Sequence, residues 1–142
     1  MHPIHPMVVH FPIALLSTAV LFDLLARRWR PEEFRIAGLY TLVLGLAGAL
    51  VAVISGHMEE EVVEHSSVPK QVLELHETLG FATFWIFAGL LGWRTVIWLG
   101  WISERPVISV ALGLGGVAVL LVASYYGGSL VYEYGTGVVP KH

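Results

Sequence analysis

Four long apolar runs, Met7–Ala26, Ile36–Gly56, Leu75–Trp93 and Val107–Tyr126, alternate with short segments that hold most of the polar and charged positions. Each run is close to the roughly 20 residues that a helix needs to cross about 30 Å of hydrocarbon. A backbone in lipid must satisfy its own hydrogen bonds, so the runs predict helices and not strands. They fill most of the chain and leave no soluble domain. The predicted fold is all-α, a single transmembrane up-and-down four-helix bundle over 1–142, with helices at about 7–27, 35–57, 69–98 and 106–127 and a tail over 128–142. No internal repeat is obvious beyond two hairpins of similar length.

Local signals refine this outline. Pro3 and Pro6 suit an irregular lead-in or a first turn, and Pro12 either sits in that first turn or kinks the helix. Pro31-Glu32-Glu33 opens the second helix with its acids at the positive end of the dipole. Gly38, Gly45 and Gly48 read as points of close helix packing. Ser67-Val-Pro-Lys reads as a cap with proline in the first turn of the third helix. Asp23 stands four residues before Arg27, which predicts a helix-end ion pair. The glycines from Gly127 onward predict a tail too loose for a rigid helix, folded back over the bundle end.

Composition agrees with a membrane protein: 56% hydrophobic and 13% charged residues, with a mean hydropathy of +0.72. The charges add an orientation. All six arginines, Arg27, Arg28, Arg30, Arg35, Arg94 and Arg105, fall at one set of helix ends, and only Lys70 and Lys141 fall at the other. The positive-inside rule then predicts both termini outside the cytoplasm. The first run lacks a preceding basic region, so it does not read as a cleaved signal peptide. The outer side is acidic, which makes nucleic acid an implausible partner and a small cation or a basic soluble partner a more plausible one. The spans themselves make the lipid bilayer a partner. With no cysteine in the chain, thiolate metal sites and thiol catalysis are excluded.

Seven histidines share the side opposite the arginines: His2, His5, His10, His57, His65, His76 and His142. His10 lies 17 residues before Arg27 and His76 lies 18 before Arg94, so at about 1.5 Å per residue both stand roughly 26 Å from the inner interface. His5 and His57 stand further out. Ionisable residues below a membrane interface are costly and mark function. His10 and His76, from alternate helices at one depth, are predicted to face each other across the core, as two axial haem ligands would. Gly80, Gly127 and Gly128 would clear space for the macrocycle, with Thr78, Ser124 and the nearby tyrosines as partners for the ligands. A copper or zinc site drawing on His5, His10, His57 and His76 is the alternative.

The segment His5-Pro-Met-Val-Val-His-Phe-Pro-Ile-Ala-Leu, the His76-Glu-Thr-Leu-Gly segment and the closing Gly127–Val138 segment resemble the bacterial membrane family catalogued as "domain of unknown function 2231". The resemblance spans essentially the whole chain. It implies four membrane helices and an outer-face site that includes His5, His10, His76 and the tail, and it implies no particular activity. His57 departs from the pattern of that family.

Together these readings predict a b-type-cytochrome-like membrane protein, or a subunit of a larger redox complex or homo-oligomer, in the bacterial inner membrane. It would hold haem b through His10 and His76 and exchange electrons with a quinol or a soluble cytochrome-type partner. A non-haem copper or zinc protein and a structural subunit without cofactor are the alternatives. No Walker-type loop or nucleophile triad is present, so electron transfer is favoured over independent enzyme action.

Overall fold

The structure is a computed structural model that describes residues 5–64 and 68–136, with the side chains from 59 to 67 outside the description. Pro3, His2, His65, His142, Lys141, the Ser67 cap and the tail beyond residue 136 therefore lie outside the described residues. Helix α1 (His5–Val8) leads into α2 (His10–Ala26), followed by α3 (Pro31–Glu64), α4 (Lys70–Trp98) and α5 (Pro106–Tyr132). The first two form one span, His5–Ala26, so four spans among the described residues are long and apolar enough to cross a membrane.

Pro12 explains the division at Val9. It has no N–H to give the Val8 carbonyl, so one rung of the ladder is missing. Val9 itself keeps helical angles, and bonds from Val9 N–H to His5 O and from Ile13 N–H to Val9 O carry the turn through. Pro12 lies buried in the first turn of α2. Pro69 stands at the cap of α4 with extended backbone, just before the first turn predicted for it.

The turns follow from their end residues. Gly100, at φ +74°, closes α4. There Gly100 N–H bonds Ile97 O and Trp101 N–H bonds Val96 O, the paired bonds of a glycine-terminated helix. Helix α5 runs past Gly127 and Gly128 to Tyr132, so those two glycines are helical where the sequence suggested a loose tail. Each glycine costs a helix about 1 kcal/mol relative to alanine. Burial of Ala123 and Leu130 on either side offsets that cost. The chain turns instead at Gly135, at φ +68°, three residues past the end of the helix.

Apolar and small residues line one face of each span at spacings of three and four, as a buried helical stripe requires. They are Pro12, Leu16, Ala19 and Val20 on α2; Leu42, Leu46, Ala49 and Ala52 on α3; Thr83, Phe87 and Leu90 on α4; and Gly113, Gly116, Leu120 and Ala123 on α5. Phe87, Leu16, Leu42 and Leu90 form the fully enclosed centre. Trp85, Trp98, Tyr125 and Tyr132 lie on the outer surface, where lipid would meet them.

Helix α2 packs chiefly on α3, and α4 chiefly on α5; the two hairpins meet along the α3–α4 and α2–α5 seams, which leaves α2 and α4 on a diagonal. The hairpins share one design. A Cβ on Gly45 would come 2.7 Å from Leu16, and one on Gly116 would come 3.0 Å from Phe87. Leu16 and Gly45 become Phe87 and Gly116 by the same shift of 71 positions. That shift aligns Gly45-x-Ala47-x-x-Leu50-Val51-Ala52-x-x-x-Gly56 with Gly116-x-Ala118-x-x-Leu121-Val122-Ala123-x-x-x-Gly127. The repeat escaped the hydropathy pattern because its matched positions in α3 and α5 are all apolar or small and merge into the apolar runs.

Candidate functional site

The inward stripe of the first span extends from Pro12 back by two turns to His5, seven positions earlier. The stripe of α4 extends likewise from Thr83 back to His76. Both imidazoles therefore point into the bundle at the same end. Their ring centres stand 5.9 Å apart with planes 80° to each other. His10 lies five positions from His5, about 140° round the helix at 100° per residue, and it is exposed. The expected facing of His10 and His76 is thus replaced by His5 facing His76. The depth count took Arg27 as level with Arg94, whereas Asp23 pairs with Arg94. His5 and not His10 therefore stands level with His76, and His10 lies five residues deeper.

Both rings are held alike. His5 Nδ1 donates to the Ala52 carbonyl at 2.8 Å, with Ser55 Oγ 3.3 Å away. His76 Nδ1 donates to the Ala123 carbonyl at 3.0 Å. Each bond spans 47 residues in sequence. A carbonyl can only accept, so both rings donate from Nδ1. Each ring also lies against a glycine: a Cβ on Gly56 would come 3.0 Å from His5 Cε1, and one on Gly127 would come 2.8 Å from His76 Cε1. Gly127 makes room for a histidine ring, whereas Gly80 and Gly128 face open space.

The other residues of the predicted site are placed elsewhere. His57 is exposed, since the α3 stripe reaches Ala52 and Gly56 and passes beside it. Thr78 and Ser124 bond carbonyls of their own helices, Glu74 O and Leu120 O; the partners of the two rings are main-chain carbonyls instead. Among the described residues, no three histidine, aspartate or glutamate side chains converge as a metal ion would need.

At the opposite end of the bundle, Asp23 pairs with Arg94 across the same diagonal. The sequence predicted Arg27 as its partner. Arg27 lies instead 3.8 Å from Glu104, whose other oxygen accepts from Arg35 at 3.0 Å. The long-range pair prevails because Asp23 and Arg94 are largely buried, with side-chain exposures of 13% and 18%. A carboxylate kept from water needs its counter-charge inside the fold. Gly38 admits it, since a Cβ there would come 3.0 Å from Asp23 Oδ1. Equal spacing was the available signal: Asp23 follows His5 by 18 positions, and Arg94 follows His76 by 18.

A third feature, an apolar groove of about 680 Å³, opens between α3 and α4, lined by Leu46, Leu50, Phe84, Leu91, Val96 and Trp101. It carries none of the histidines.

A family model described as a predicted membrane protein (DUF2231) matches residues 1–140. Among curated proteins and among solved structures, nothing matches the chain.

Proposed function

The chain belongs to this family of predicted membrane proteins, and we propose that it is a b-type-cytochrome-like redox protein or redox-complex subunit. In this reading one haem b sits between His5 and His76, near the membrane face where the spans begin. The observation that carries the reading is the matched pair of inward imidazoles.

The donor set fits the group. Two imidazoles that share one iron stand with ring centres roughly 6 Å apart, given metal–nitrogen bonds of about 2 Å; here the separation is 5.9 Å. Each ring donates Nδ1–H to a main-chain carbonyl, which fixes the tautomer and raises the basicity of Nε2 toward a metal. Among the described residues two side-chain donors meet, and His5 and His76 would hold the iron of a haem, whose porphyrin would bring the rest of its ligands.

When bound, the haem would supply a one-electron couple. The protein's part is to hold both rings through Ala52 and Ala123, and to keep the site in an apolar bundle. The arginine asymmetry supports an orientation with the histidine end outside the cytoplasm of a bacterial inner membrane. A quinol or a soluble cytochrome-type protein would then exchange electrons there.

The test is a visible spectrum of protein purified in mild detergent from haem-replete cells, oxidised and then reduced. A Soret band that sharpens on reduction is expected. His5→Ala and His76→Ala should each lose it, while His10→Ala keeps it. Absence of porphyrin absorption in the native protein overturns the reading. The two donors that meet among the described residues would also suit a two-coordinate copper(I) ion. Stoichiometric copper without porphyrin absorption would identify it.

A further inference from the structure

Two contacts join positions that the repeat makes equivalent. His5 and His76 are one such couple, and Asp23 and Arg94 are another; both are related by the shift that relates Leu16 to Phe87 and Gly45 to Gly116. Residues related by a two-fold rotation can touch only where they flank the axis. The bundle therefore has a pseudo-two-fold axis that passes between the two imidazoles and, 18 residues or roughly 27 Å along, between the carboxylate and the guanidinium.

Such a design has an ambiguity built into it. A hairpin that packs on its own likeness can pair with the other half of its chain, or with the same half of a second copy. The buried stripes match at Ala52 and Ala123 and at Gly45 and Gly116, and differ in size at positions such as Leu16 and Phe87 or Ala19 and Leu90, all of them apolar. The histidine couple cannot decide, being identical on both sides. Asp23 and Arg94 are the couple that differs in charge. Two N-terminal hairpins would bring Asp23 against Asp23, and two C-terminal hairpins would bring Arg94 against Arg94. Buried like charges disfavour both arrangements, and a single polar couple at an otherwise apolar seam is a known means of fixing partner and register. The surroundings have diverged to suit: Gly38 leaves space for the Asp23 carboxylate, while Ser109 at the matching position accepts from Trp93 Nε1 at 3.1 Å.

We propose that Asp23 and Arg94 form a pairing key that directs the N-terminal hairpin onto the C-terminal hairpin of the same chain, and so brings His5 to His76 once per molecule. Asp23 and Arg94 are positioning residues in this account. The inference holds whatever the two imidazoles bind, and its test needs no cofactor.

The chain has no cysteine, so His5→Cys and His76→Cys can be introduced as sole thiols and joined with a short thiol-to-thiol cross-linker in detergent. With Asp23 and Arg94 intact, the product should be an internally linked monomer. Arg94→Asp or Asp23→Arg should lower its yield at least tenfold, and the double exchange D23R/R94D should restore it. The neutral pair D23N/R94Q supplies a readout that a merely stabilising ion pair would not move. With His5→Cys as the only thiol and two differently tagged copies expressed together, dimers linked through that introduced thiol should appear in the neutral pair and be absent from the parent. Reversals that leave the internal product unchanged overturn the proposal, as does a double exchange as defective as either reversal. A neutral pair without dimers overturns it too.

Discussion

The two ends of the pseudo-two-fold axis solve one geometric problem in opposite ways. At one end, equivalent positions hold the same residue, His5 and His76, each bonded to an equivalent carbonyl and seated against an equivalent glycine. At the other, equivalent positions hold Asp23 and Arg94, which attract each other because they differ. Identity suits a site in which both halves offer the same bond to one ligand. Complementarity suits a choice between partners. The contrast separates the part of the molecule that can bind from the part that sets how its halves meet.

The charged end should be the more fragile. Arg94→Ala or Asp23→Ala leaves its partner buried and unpaired, which costs about 3–5 kcal/mol. Thermal unfolding in detergent checks this, and the double variant D23A/R94A should cost clearly less than the two single losses added. Additive losses would dissolve the contrast between the ends. Next in size comes the glycine seat. Gly127→Ala forces a methyl against the His76 ring and should destabilise by about 1–3 kcal/mol, with Gly56→Ala acting likewise on His5. Matching losses would sharpen the equivalence of the halves, and a loss confined to one would break it. His5→Ala, which removes one hydrogen bond and a half-buried ring, should cost about 1–2 kcal/mol. The exposed His10→Ala should stay within about 0.5 kcal/mol of the parent, and the open Gly92→Ala should stabilise by up to about 1 kcal/mol through helix propensity.

Much of this architecture was legible in the sequence. Four spans follow from apolar length alone, because lipid leaves the backbone no alternative to helix. His76 was legible as an inward histidine because a charged or polar group below the interface is costly. Its partner was missed because the depth count took Arg27 as the level of Arg94. Asp23 holds that level, and both the 18-residue spacing from it and the stripe Pro12, Leu16, Ala19 select His5. Asp23 was assigned its nearest cation, Arg27, and a local rule of that kind cannot see a residue on a diagonal helix. The repeat stayed hidden because its matched positions in α3 and α5 are glycine, alanine, leucine and valine, which do not stand out within long apolar runs.

The most direct measurement compares two thiol pairs in the otherwise cysteine-free chain: H5C/H76C and H10C/H76C, each treated with the same short cross-linker in detergent. The first pair should give an internally linked monomer in high yield, and the second should give little or none. Efficient linkage of the second pair, with the first unreactive, would contradict the meeting of His5 and His76 on the axis and, with it, the site assigned to them.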